Sequence, residues 1–301
     1  MAERVAYDEF SMFHENAAEY GVAYFGPPSV RREHVEVAPG RQLSALVWGD
    51  APPELVLLHG GGQNAHTWDT VALALDRPLI AIDLAGHGHS DPMPDSSALD
   101  LVGSARDVAT VVRLLAPDAL AVAGMSLGGL TTLALFDHAP ELVRRMVLVD
   151  VTPGVNGQKS AAISAFLDGP AGFDSFDDIL ARTIEHNPTR TASSLRRGVL
   201  HNAVQLDDGT WAWRHARGRG LAHGAGVPDF SSWWRVVSEA SVPLMLARGM
   251  REQSVVDDAD EAEVVRRCAH ARVEHFVDAG HSIQGDSLVE FASVLNDFLA
   301  T

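Results

Sequence analysis

The sequence predicts an α/β fold: a mostly parallel sheet flanked by helices, with a mainly helical cap inserted at one crossover. Three observations carry this. Apolar runs of strand length alternate with helical patterns, as in a parallel sheet buried on both faces. Two segments, 100–115 and 286–299, place their apolar residues on one helical face. Between the runs 146–151 and 243–248, about 90 residues break the rhythm, as an insertion does.

Taken in order, residues 1–30 are mixed, with a short helix near 8–19. Segments 33–38 and 42–49 read as a β-hairpin turned by Pro39-Gly40. The runs 54–58 and 78–84 are strands, the first ending at His59-Gly60. Leu101, Ala105, Val108, Val111, Val112 and Leu115 form one face of helix 100–115. Strand 119–124, helix 127–138 and strand 146–151 follow, then strands 243–248 and 272–277. The closing helix 286–299 has Leu288, Phe291, Leu295 and Phe298 in phase. This divides the chain into a core, 1–151 and 242–301, and a cap, 152–241. The cap holds Trp211, Trp213, Trp233, Trp234, His201, His215 and His223, with a hairpin turn at Asp207-Asp208-Gly209.

With 301 residues, 46% hydrophobic and 21% charged, the chain can bury a full core. A net charge of −17 repels phosphate backbones and anionic lipid heads, so nucleic acid and membrane are poor partners. A lone cysteine, Cys268, forms no internal disulfide and fits a reducing compartment. No apolar signal region opens the chain, and no run of about 18 apolar residues appears. The expectation is a soluble cytoplasmic protein acting on a small molecule, with a homodimer allowed.

Gly124-Met125-Ser126-Leu127-Gly128-Gly129 follows an apolar strand and opens a helix. In that context G-x-S-x-G forms a turn that lifts the serine Oγ above the sheet edge. The helix start aims free N–H groups and a positive dipole end at the same point. By itself the pentapeptide is a weak signal in a Gly-rich chain, so its partners decide. His59-Gly60-Gly61-Gly62 supplies one set. Acyl transfer builds charge on the carbonyl oxygen, and each preorganised N–H stabilises it by about 3–4 kcal/mol. Gly61 is the first choice of donor and Leu127 the second; a tight loop needing positive φ would also explain the glycines.

These motifs resemble the α/β-hydrolase family. They are His59-Gly60-Gly61 with Trp68, the loop Asp83-Leu84-Ala85-Gly86-His87-Gly88-His89-Ser90-Asp91, Gly124 to Gly128, and Gly280-His281, in the family's order. The resemblance spans nearly the whole chain and is specific for the fold, much less so for the substrate. It implies a structural role for the Asp83–Asp91 loop, and no chemistry is assigned to it.

A serine hydroxyl needs a base, and an imidazole titrates in the right range. His281, in Asp278-Ala279-Gly280-His281-Ser282 after the last strand, is the candidate among 14 histidines. The acid that orients it has several candidates. Asp150 ends strand 146–151; Glu252 follows strand 243–248; Asp257 and Asp258 lie just beyond. In most of the family the acid stands where Glu252 does. A branch of small esterases places Asp after the sixth strand before a proline and carries Ser in the later loop. Asp150 with Pro153, and Ser254-Val255-Val256, are similar to that branch, as are Leu200-His201-Asn202 and Asp208-Gly209-Thr210-Trp211. The spacing of Gly249 and Ser254 departs from it. Asp150 is favoured, against a plain reading as a strand-end turn residue.

The cap aromatics, with Phe166, Phe173 and Phe176, either line a pocket or form the cap's own small core. Gly62, Met125, Trp211 and Trp213 are the substrate-contact candidates. Arg190, Arg196, Arg197 and Arg214 could pair with a substrate carboxylate or lie solvated. The expected function is hydrolysis of a medium-sized, partly apolar carboxylic ester. The alternatives are a carbon–carbon bond hydrolase of ring-cleavage products and a non-catalytic binding protein on the same fold. No zinc-ligand spacing, dinucleotide fingerprint or Walker loop is seen, so no metal or cofactor is expected.

Overall fold

The apolar runs fold as strands of one eight-stranded sheet in a computed structural model that describes residues 4–94, 99–170, 172–215 and 227–300. β1 (Val30–Ala38) and β2 (Arg41–Trp48) form the hairpin, with Gly40 at φ 70° in its turn. β3 (Leu55–Leu58), β4 (Leu79–Ile82), β5 (Ala121–Met125) and β6 (Met146–Val149) follow. A separate three-stranded sheet, β7 (Gly172–Phe173), β8 (Ala203–Gln205) and β9 (Trp211–Trp213), lies in the insertion. β10 (Leu244–Gly249) and β11 (Arg272–Phe276) return to the main sheet. The order is β1-β2-β4-β3-β5-β6-β10-β11, and β2 alone runs against its neighbours. Strands β3, β4, β5 and β6 are buried at every residue, which is why their sequences are continuous apolar runs.

The helices are α1 (Phe13–Tyr20), α2 (Asp69–Leu75), α3 (Leu101–Leu115), α4 (Leu127–His138), α5 (Ala161–Leu167), α6 (Phe176–His186), α7 (Ala192–Asn202), α8 (Trp234–Glu239), α9 (Asp258–Arg267), α10 (Ile283–Asp286) and α11 (Leu288–Ala300). Alternate strand residues point to opposite faces. Val56, Leu58, Ile80 and Ile82 pack toward α3, α4, α8 and α9. Leu55, Leu57, Leu79 and Ala81 pack toward α1, α2 and α11. Asp100 caps α3 by accepting from Gly103 N–H, and the apolar face expected of this helix is buried along most of its length.

Between β6 and β10 the chain builds α5, α6, α7 and the small sheet around Phe173, Ile179, Val199, Leu200 and Trp211. The turn at Asp207-Asp208-Gly209 joins β8 to β9, with Gly209 at φ 92°. The expected cap range, 152–241, takes in a piece of the core at its end. Phe230, Trp234, Val236 and Val237 are buried against the α3–α4 face, and Arg267 of α9 stacks on Trp234 at 5.4 Å. His223 lies outside the described residues. Among the described residues, no helix is long and apolar enough to cross a membrane.

Candidate active site

β5 runs through a sharp turn into α4, and Ser126 stands at the turn with φ 52° and ψ −117°. A non-glycine residue adopts this region only when its surroundings force it, and such strain concentrates at functional sites. The flanking glycines explain the force. A Cβ on Gly124 would sit 2.2 Å from the Gly128 carbonyl oxygen, and one on Gly128 would sit 2.3 Å from the Leu58 carbonyl oxygen. Neither has positive φ; both are needed for close approach of backbone to backbone.

The loop after β3 faces this turn. Gly60 N–H donates to Gln63 Oε1 (3.1 Å) and Gly62 N–H to His87 Nε2 (3.1 Å). Gly62, at φ 74°, is the glycine of this loop that needs the left-handed region. Among the described residues the N–H groups of Gly61 and Leu127 have no protein acceptor. His59 is fully buried, and burial pushes its pKa down to about 3, so its ring is neutral.

On the far side of the turn, Asp150 directly follows β6, with φ 47° and no exposed surface. Its carboxylate accepts four hydrogen bonds. Gly249 N–H (3.0 Å) and Ser254 Oγ (2.6 Å) meet Oδ1; Val255 N–H (3.0 Å) and His281 Nδ1 (2.8 Å) meet Oδ2. The His281 loop approaches β10 so closely that a Cβ on Gly249 would lie 2.1 Å from the Gly280 carbonyl oxygen. Gly280 N–H is held by Asp286 Oδ2 (3.1 Å). The other acid candidates are occupied elsewhere. Glu252 is exposed and meets Gln253 Nε2 at 3.2 Å. Asp257 caps α9 and pairs with Lys159 at 2.9 Å; Asp258 pairs with Arg248 at 2.7 Å.

Ser126 and His281 open onto one cavity of about 290 Å³, together with Gly61, Gly62, Met125 and Trp213. Among the described residues no hydrogen bond joins Ser126 Oγ to the His281 ring. Such contacts are often long before substrate binds. Phe166 of α5 also lines the cavity, edge-on to Trp213 at 5.7 Å. Trp211 does not, which corrects its expected substrate contact: it is 4% exposed and edge-on to Phe176 at 5.1 Å, inside the cap's own core. Trp211 and Trp213, two residues apart, share one face of β9 and differ in their neighbours, Phe176 beside Trp211 and Phe166 beside Trp213.

The arginines differ in their surroundings. Arg197 is buried and bound to Glu19, with Asn16 Oδ1 at 2.6 Å. Arg214 lies over the Tyr7 ring at 5.9 Å, and Arg196 is exposed. Arg190 stands in the cavity wall, as Arg197 also does, and donates to Ser194 Oγ. Asn16 and Tyr20 of α1 also reach this wall, a contribution that the mixed N-terminal sequence did not signal.

His66 and His201, which line the cavity, and Asp69 bring ligand-type atoms within 4.8 Å of one another. The two rings stack at 3.8 Å with 11° between planes, so their in-plane lone pairs do not converge on one ion. The group is instead an ion-paired junction. His66 meets Asp69 Oδ2 at 2.8 Å and Glu9 Oε2 at 3.1 Å. Burial opposes a charged ring there, but the two carboxylates prevail and raise its pKa to about 9.

Comparison with known proteins identifies the family. The model of the alpha/beta hydrolase fold family matches residues 53–288. An esterase of Mycobacterium tuberculosis, Rv0045c, is 42% identical over 99% of this chain and 98% of its own. Its crystal structure superposes with a TM-score of 0.86 at 40% identity, covering 99% of this chain and 100% of that one. A 3-hydroxybutyrate-oligomer hydrolase of Cupriavidus necator is 26% identical over 78% of this chain and 85% of its own. The crystal structure of E-2-(acetamidomethylene)succinate hydrolase, at 20% identity and a TM-score of 0.77 over 90% of this chain and all of that one, shares the fold. The chain belongs to the alpha/beta hydrolase fold family.

Proposed function

We propose that the protein is a serine esterase that cleaves a medium-sized, partly apolar carboxylic ester through an acyl-enzyme. The reading is supported above all by the 2.8 Å hydrogen bond from His281 Nδ1–H to Asp150, on a cavity that also holds the strained Ser126. Asp150 fixes the imidazole with Nε2 turned away from the acid, and Nε2 takes the Ser126 proton as Oγ attacks the carbonyl carbon. The carbonyl oxygen gains the negative charge and receives the N–H groups of Gly61 and Leu127. The imidazolium then protonates the departing alkoxide. Water, deprotonated by the same ring, cleaves the acyl-enzyme and releases the acid.

The segment 152–241, less the core helix at its end, acts as the cap that shapes the acyl site through Phe166 and Trp213. Similarity over the full chain to a protein named an esterase supports the ester over other carbonyl substrates. Turnover of p-nitrophenyl acetate, butyrate and octanoate, run beside a ring-fission dienoate, tests the reading. Ester hydrolysis lost in Ser126→Ala is the expected result. Cleavage of the dienoate alone would move the protein to carbon–carbon hydrolysis, and turnover of neither would leave binding.

A further inference from the structure

Two histidines outside the proposed triad tie together the two loops at the sheet's carboxyl edge. His59, in loop 59–62, donates from Nδ1 to the Gly60 carbonyl oxygen (2.8 Å) and accepts at Nε2 from Leu84 N–H (2.9 Å). His87, in loop 83–91, donates from Nδ1 to the Ala85 carbonyl oxygen (3.1 Å) and accepts at Nε2 from Gly62 N–H (3.1 Å). A carbonyl only accepts and an N–H only donates, so both rings are neutral Nδ1–H tautomers. Each loop therefore sends one histidine to the other's backbone. The ring centroids are 5.1 Å apart. Burial lowers the pKa of both rings, which keeps them uncharged at neutral pH.

The consequence falls on Gly61. Its two neighbours have their N–H groups bound, Gly60 to Gln63 and Gly62 to His87, while its own has no protein acceptor. We propose that His59 and His87 are positioning residues for the oxyanion site, holding the chain on both sides of Gly61 so that its N–H stays aimed at the substrate carbonyl oxygen. This rests on the serine-esterase reading above. It gives the Asp83–Asp91 loop a part in the reaction, through the backbone. A preorganised donor needs no reorganisation when charge develops, and a misplacement of about 1 Å can cost roughly 100-fold in rate.

The test compares His87→Leu, which removes the acceptor for Gly62 N–H, with His87→Gln, whose carboxamide oxygen can replace Nε2. Each is assayed for kcat and KM on p-nitrophenyl butyrate, for inhibition by butylboronic acid, and for thermal midpoint. For His87→Leu, kcat and boronate affinity should fall roughly 10- to 100-fold with KM within about threefold. His87→Gln should recover most of both losses, even where the two variants melt alike. A folded His87→Leu with wild-type kcat and boronate affinity would overturn the proposal, as would losses that glutamine does not recover.

Ring ¹⁵N NMR of the unaltered chain covers the case in which His87→Leu does not fold. Both rings should be neutral and Nδ1-protonated at neutral pH; an Nε2-protonated or charged ring at either position would refute the lock. If the unaltered protein cleaves no ester, the esterase reading fails, and the NMR result still decides whether the lock exists.

Discussion

The two sides of the cavity are built differently. On the core side, backbone geometry fixes every group: Ser126 by a turn that Gly124 and Gly128 alone permit, Asp150 by four hydrogen bonds, His281 by a loop packed onto Gly249. On the cap side the wall is made of side chains, Phe166 and Trp213 on short elements and Arg190 in the connection between α6 and α7. The difference teaches where variation is tolerated. Under the proposed mechanism, a carbonyl of any ester must meet the core side in one geometry, whereas the cap side would set which acyl or alcohol group fits.

Variants can break this comparison. Ser126→Ala should give the largest effect, a fall in kcat on the order of 10⁶-fold, with competitive binding of a product acid retained. Activity near wild type would place the chemistry elsewhere. Asp150→Asn should lower kcat on the order of 10⁴-fold, because the amide cannot hold the imidazole as the carboxylate does, while Glu252→Gln should stay within about twofold. The reverse ranking in steady-state assays would move the acid to the later loop.

Two tryptophans sharpen the contrast on the cap side. Trp211→Ala should lower the unfolding free energy by about 3–5 kcal/mol, as loss of a buried aromatic does, read by urea denaturation. Trp213→Ala should leave stability nearly unchanged and alter kcat/KM for octanoate relative to acetate by roughly tenfold, the order of a lost hydrophobic contact. Equal behaviour of the two variants would contradict the contrast between a buried Trp211 and a cavity-lining Trp213.

The junction between the sides supplies the smallest effect. His66 on the core stacks on His201 of α7 and pairs with Asp69 and Glu9, with Arg32 beside them. Its pKa is raised to about 9 from the ordinary 6.5, so its stabilisation is complete below pH 6.5 and lost as pH rises through about 9. The urea midpoint should therefore fall between pH 7 and pH 10, and His66→Gln should flatten that part of the curve. A midpoint that rises over this interval would contradict the ion-paired junction.

Much of the core was legible in the sequence because its signals are local. Continuous apolar runs give parallel strands, the G-x-S-x-G pentapeptide marks a turn with two close approaches, and Asp100 caps the helix whose stripe follows it. Choosing among acids was harder, since Asp150 and Glu252 both follow strands and differ only in which carboxylate the folded loop turns toward His281. Ser254 was a pointer toward Asp150, and its hydroxyl meets that carboxylate at 2.6 Å. The cap read poorly. Its strands have two or three residues, too short for periodicity, so Trp211 and Trp213 looked equivalent. Helix α9 was missed because charged residues dominate it, and α8 was counted with the cap although Val236 and Val237 lie in the core. The bonds from His59 to Leu84 and from His87 to Gly62 span 25 residues each, beyond any local pattern.

The most direct test of the central claim is phosphonylation of the whole protein with a fluorophosphonate, followed by peptide mass analysis and an ester assay. The account predicts one adduct on the peptide containing Ser126, with turnover falling in proportion to its occupancy. An adduct on another residue that abolishes turnover, or full occupancy of Ser126 with ester hydrolysis intact, would contradict it.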